Sequence, residues 1–131
     1  MTPPEKLTLS PERVEPRQRI PVDDPEACPV RYVLDRIGDT WSLVTLIALS
    51  SGPTRYMGLL RTIDGITKRM LTRTLNGLAE DGLVERTASR SVPPAVSYAL
   101  TALGVSLVKT LQPLISWSRE NGGQLRDRPP R

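Results

Sequence analysis

The sequence predicts one mainly α-helical domain carrying a small β-hairpin. Apolar residues recur at helical spacing through most of residues 28–121, and the period falls to two only after Gly82. Both ends are rich in Pro or Gly, with six of the thirteen prolines before Cys28 and the pairs Gly122-Gly123 and Pro129-Pro130 at the close. With 131 residues, the length suits about one domain. We therefore expect an extended N-terminal arm over residues 1–27, a folded unit over residues 28–121 and a flexible tail over residues 122–131.

Each element has a local reason. Pro29 suits the first position of a helix, and Val30, Val33, Leu34 and Ile37 then repeat at helical spacing as far as Gly38. Asp39 caps a second helix reaching Ser50, whose Trp41, Leu43, Val44, Leu46, Ile47 and Leu49 leave little polar face, so it should be central. Thr54 is expected to cap a third, short helix with Tyr56, Leu59, Leu60 and Ile63 inward, ending at Asp64-Gly65. Thr67 opens a fourth, with Leu71, Leu75 and Leu78 inward, and Gly82 followed by Leu83 fits a helix C-terminal motif. Residues 83–87 then alternate like a strand, as do Val96, Tyr98 and Leu100, so the two runs form a hairpin. Its connection carries Arg90 and Pro93-Pro94 and should project as a stiffened loop. Thr101 caps a last helix to about Asn121, with Leu103, Leu107, Leu111, Leu114 and Ile115 on one side and a bend expected at Pro113.

Composition narrows the function. The chain has no His, which removes the usual general base and the commonest transition-metal ligand, and we expect neither enzymatic activity nor a cofactor or metal. Paired acids such as Asp23-Asp24 and Glu80-Asp81 point in different directions and make no acid–base couple. A single Cys forms no intramolecular disulfide, and residues 1–16 lack an apolar signal core, so a cytoplasmic setting is expected. No apolar run approaches the roughly 20 residues that span a bilayer. The net charge of +4 hides an uneven balance, with fourteen basic against eight acidic side chains after residue 28. Such an excess favours polyanions.

Three helices, a helix after a turn, a two-stranded wing and a final helix form the order of a winged helix-turn-helix domain. The fourth helix is the candidate reading element. At 100° per residue, its leucines occupy one side and Arg69, Thr72, Arg73 and Asn76 the other, with Lys68 beside them. A helix fits the DNA major groove, where Arg bonds guanine, Asn bonds adenine and Thr meets base edges. No acid lies within residues 67–79. Thr54, Arg55, Arg61, Arg86 and Arg90 are the candidates for backbone and wing contacts, with the amide ends at Thr54 and Thr67 as phosphate seats.

The fragments Cys28-Pro29-Val30, Ile37-Gly38-Asp39-Thr40-Trp41, Gly65-Ile66-Thr67-Lys68-Arg69-Met70-Leu71-Thr72, Glu80-Asp81-Gly82-Leu83-Val84 and Val92-Pro93-Pro94-Ala95-Val96-Ser97-Tyr98-Ala99-Leu100-Thr101 occur in order. Together they resemble the HxlR-type regulators, over about residues 28–118. The resemblance implies a dimeric winged-helix transcriptional regulator of bacterial type with MarR-like architecture, dimerising through its N- and C-terminal helices. This chain departs from the usual pattern at Ser97 (commonly Glu), Thr67 (commonly Ser) and Tyr56 (commonly Phe). It also implies that Cys28, as in some members, senses oxidants or electrophiles.

The residues themselves point the same way on two counts. The last helix carries more apolar surface than one small domain covers, so Val30, Leu107, Leu111, Leu114, Ile115 and Trp117 are the candidate dimer contacts. Cys28 precedes the first helix, where the helix dipole and nearby Arg31 favour a thiolate. The expected partners are double-stranded DNA, a second copy of the chain and a small-molecule or oxidant effector. A winged-helix module that binds protein instead of DNA is the alternative.

Overall fold

The computed structural model describes residues 19–125; residues 1–18 of the expected arm and 126–131 of the tail lie outside the described residues. The chain divides into two compact units, 1–35 and 36–131.

In the first unit, two turns precede a helix. Asp24 N–H donates to the Pro21 carbonyl at 3.0 Å, and Cys28 N–H to the Asp24 carbonyl at 2.8 Å. Helix α1 (Pro29–Ile37) follows and crosses into the second unit. Its Val30, Tyr32, Val33 and Leu34 are exposed, whereas Ile37 is buried.

The second unit continues with α2 (Thr40–Leu49), β1 (Thr54–Arg55), α3 (Tyr56–Thr62), α4 (Lys68–Glu80), β2 (Val84–Ala88), β3 (Val96–Leu100) and α5 (Ala102–Asn121). Capping follows the sequence at three helices. The Asp39 carboxylate accepts from Ser42 N–H at 3.0 Å, Thr67 Oγ1 from Met70 N–H at 3.1 Å, and Thr101 Oγ1 from Gly104 N–H at 3.0 Å. Helix α4 ends as expected. Gly82 has φ +79°, its N–H donates to the Ala79 carbonyl at 3.0 Å, and Leu83 N–H donates to the Leu78 carbonyl at 3.0 Å, the paired bonds of a Schellman motif.

Thr54 departs from expectation. It caps no helix; it lies in β1 opposite Tyr98, and α3 starts only at Tyr56 with no side-chain cap. The free edge of β3 offers backbone partners to an extended segment, and once extended, Thr54 donates its hydroxyl to the Gly52 carbonyl at 3.0 Å. The hairpin is thereby a three-stranded antiparallel sheet in the order β1-β3-β2.

The core is aliphatic. Leu46, Leu49, Leu59, Leu71, Leu75 and Leu78 are buried almost completely and gather α2, α3 and α4 into one cluster. Thr45, also fully buried on α2, has a hydroxyl without a hydrogen-bond partner among the described residues. Helix α5 runs unbroken through Pro113, but it does not bury the whole predicted stripe. Its buried residues are Gly104 and Val108, Leu107 packs half-buried on the same core, and Leu103 and Leu114 are exposed. The reason is close approach: a Cβ on Gly104 would lie 2.2 Å from the Leu83 carbonyl oxygen, so the helix seats on its glycine rather than on Leu103.

Candidate nucleic-acid interface

The surface that the sequence singles out centres on α4. Leu71, Leu75 and Leu78 anchor one side of this helix in the core, which leaves Lys68, Arg69, Thr72, Arg73 and Asn76 all exposed. A helix held by three fully desolvated leucines has its rotation about its own axis defined, so the polar side chains project from a fixed platform. None of the exposed basic residues of α4 is ion-paired among the described residues.

Two of these side chains have neighbours that the linear pattern hid. The Tyr56 hydroxyl donates to the Lys68 carbonyl at 3.0 Å and lies 2.9 Å from Thr72 Oγ1. A phenylalanine there, as the resemblance leads one to expect, makes neither bond. Tyr56 thus ties α3 to the first turn of α4 and restrains Thr72, a role that sequence reading missed although the departure from Phe marked the position. Arg73 sits at the edge of the reading face, where it also lines a groove with Arg36, Asp39, Trp41 and Asp81. In that groove Arg36 Nε meets Asp81 Oδ1 at 3.3 Å, joining the end of α1 to the C-cap of α4.

The expected backbone contacts separate into two groups. Arg55, Arg61 and Arg86 come together around one cavity between α3 and the sheet. Arg90 instead lies in the β2–β3 connection, which is cross-braced: Ser89 N–H donates to the Ala95 carbonyl and Ala95 N–H to Ser89 Oγ, both at 2.8 Å. The helix terminus expected at Thr54 is absent, and the one at Thr67 is present.

Cys28 is half-buried and unbonded to another cysteine. It lines a small hollow with Val22, Asp23, Pro25, Arg31, Tyr32 and Asp35. Arg31, the cation expected to favour a thiolate, is paired with both Asp23 and Asp35.

Known proteins resemble the chain over this same region. A family model described as HxlR-like helix-turn-helix matches residues 36–126. The HTH-type transcriptional regulator YdeP of Bacillus subtilis strain 168 is 39% identical over 106 residues, covering 81% of this chain and 80% of YdeP. Its counterpart YtfH of Escherichia coli strain K12 is 38% identical over 96 residues, covering 73% of this chain and 76% of YtfH. Among solved structures, the redox regulator HypR in its oxidized form aligns with a TM-score of 0.62 at 38% identity, over 77% of this chain and 100% of HypR. YdeP and YtfH are described as transcriptional regulators and HypR as a redox regulator, none of them as an enzyme, and no helix among the described residues is long and apolar enough to cross a membrane. The exposed polar face on a leucine-anchored helix, the wing beside it and these matches agree: the chain belongs to the HxlR-like helix-turn-helix family of transcriptional regulators.

Proposed function

We propose that this regulator binds double-stranded DNA sequence-specifically, as a homodimer on a pseudo-palindromic operator. The observation that carries the reading is α4, with its leucines fully buried and Lys68, Arg69, Thr72, Arg73 and Asn76 exposed on the opposite face. Arg69, Arg73 and Asn76 read base edges in the major groove, and Thr72, held by Tyr56, presents its methyl group or hydroxyl. Thr67, Arg55, Arg61, Arg86 and Arg90 take phosphates, which orient the domain without reading sequence, with Thr54 beside them on β1.

The dimer reading is supported by apolar side chains left open on two helices. Leu114 and Trp117 on α5 and Val30, Val33 and Leu34 on α1 are exposed, and Leu111 and Ile115 are half-buried beside the former pair. Two-fold symmetry would set the reading helices about 34–36 Å apart, in successive major grooves.

Regulation runs through Cys28 in this proposal. Oxidation of one thiol in each of two chains yields an intersubunit disulfide, with two electrons and two protons passing to an oxidant. Its support is the likeness to HypR, described as a redox regulator, and the partial exposure of Cys28.

The test is a titration of reduced and of diamide-oxidised protein against the DNA upstream of its own gene and a length-matched control, at several salt concentrations. Specific binding that oxidation alters in the wild type but not in Cys28→Ser supports the whole reading. Specific binding indifferent to oxidation removes the thiol switch alone. Equal affinity for random duplexes, or no linear fall of log affinity with log salt, overturns specific DNA binding in favour of a protein-binding module.

A further inference from the structure

Where Tyr56 of α3 reaches the first turn of α4, its hydroxyl lies 3.0 Å from the Lys68 carbonyl oxygen and 2.9 Å from Thr72 Oγ1. A carbonyl oxygen only accepts, and a tyrosine hydroxyl carries a single proton, so that proton is committed to Lys68. The second contact then closes in one way only: Thr72 donates its hydroxyl proton and the Tyr56 oxygen accepts it.

Thr72 has no competing outlet within the helix. A helical threonine commonly returns its proton to the carbonyl four residues back, as Thr110 on α5 does to Ser106 at 3.0 Å. For Thr72 that carbonyl belongs to Lys68, whose two lone pairs are taken by the Thr72 N–H of the helical ladder and by Tyr56. Among the described residues, Tyr56 is the partner of Thr72 Oγ1. Yet Thr72 is exposed on the reading face, while Tyr56 is half-buried. Its oxygen therefore faces an incoming ligand with lone pairs and no proton. Turning χ1 to aim the proton outward breaks the bond to Tyr56, and a β-branched side chain has few other rotamers to adopt.

We propose that Tyr56 is a specificity-determining positioning residue: by taking the Thr72 proton it makes Thr72 an acceptor, so that Thr72 recognises a base amino group, adenine N6 or cytosine N4, in the major groove. A threonine hydroxyl left to itself bonds donors and acceptors alike. With its proton spent on Tyr56, Thr72 donates to neither guanine O6 and N7 nor thymine O4. Tyr56 acts through Thr72 and touches no base. This role rests on the DNA reading proposed above and adds to it the chemistry of one base contact.

Selection from a random duplex pool tests the role with the full-length protein and its Tyr56→Phe and Thr72→Val variants. One position of each half-site should lose its preference in Thr72→Val. At that position, an analogue without the amino group replaces the preferred base, purine for adenine or 2-pyrimidinone for cytosine. The exchange should cost the wild type about fivefold in affinity and Thr72→Val less than about twofold. In Tyr56→Phe the same exchange should cost about twofold or less, because the freed hydroxyl turns its proton outward or rotates away. A merely structural Tyr56 predicts something else: uniform weakening, with the full amino dependence kept. The free protein supplies a readout without DNA. Three-bond couplings of the Thr72 methyl carbon to the backbone should report one χ1 rotamer in the wild type and an average in Tyr56→Phe. The proposal fails if amino deletion costs the wild type less than about twofold, or if Tyr56→Phe keeps the full cost. It fails equally if Thr72→Val alters no position, or if the wild-type couplings are already averaged. A wild-type protein that enriches no sequence at all, with its Thr72 rotamer fixed, overturns the DNA reading itself and this role with it.

Discussion

Thr45 shows what one atom contributes when its surroundings are dry. Its side chain is fully buried on α2 and its hydroxyl has no partner among the described residues, so folding strips water from Oγ1 without replacing it. Thr45→Val keeps the shape and removes the unpaired group; it should raise unfolding stability by about 1 kcal/mol in urea titration, with an unchanged m-value. Tyr56 is the opposite case, a hydroxyl with two partners. Tyr56→Phe leaves the ring in place but frees Thr72 and the first turn of α4, and it should weaken operator binding by about three- to tenfold without loss of fold. Arg73→Ala discriminates between two roles. If Arg73 reads guanine, the loss is about 1–3 kcal/mol with a change in base preference at one position; uniform weakening over all sequences would make it a phosphate contact.

Glycines separate the elements by how tightly they approach. On α5, Gly104 lies against the Leu83 carbonyl, and Thr101 N–H donates to that same oxygen at 3.0 Å, so the helix start and the end of the α4 turn are locked backbone to backbone. Gly104→Ala puts a methyl group where no rotamer can relieve it and should cost about 3 kcal/mol or more, read as a fall in the denaturation midpoint. On α4, Gly77 faces open space, with nothing within 4 Å of an added Cβ. Gly77→Ala should therefore stabilise the protein by about 0.5–1 kcal/mol through helix propensity and chain entropy. Opposite signs from one chemical change would confirm that α5 is placed by contact and α4 by its leucines. The same contrast explains why the stripe predicted on α5 is only partly buried: helical spacing identifies an apolar face, but the Gly104 contact selects which part of it meets the core.

For the molecule as a whole, the apolar residues left open on α1 and α5 make association part of stability. A homodimer that buries Leu114 and Trp117 should melt at a temperature rising with protein concentration, and Trp117→Glu should convert it to a monomer by light scattering at micromolar concentration. A wild-type chain that scatters as a monomer at that concentration would remove the dimer from the proposed function.

Much of this architecture was legible along the chain. Leucine spacing on α4, the caps Asp39, Thr67 and Thr101 and the left-handed Gly82 all act within one helical turn, so local dihedral preference and side-chain reach decide them wherever the helix lies. The pairing of Thr54 with Tyr98, the bond from Tyr56 to Thr72, the seat of Gly104 on Leu83 and the cavity that gathers Arg55, Arg61 and Arg86 join positions many residues apart. Those contacts exist only once burial of the leucine core has brought the elements together, because no turn-length rule links the residues that meet.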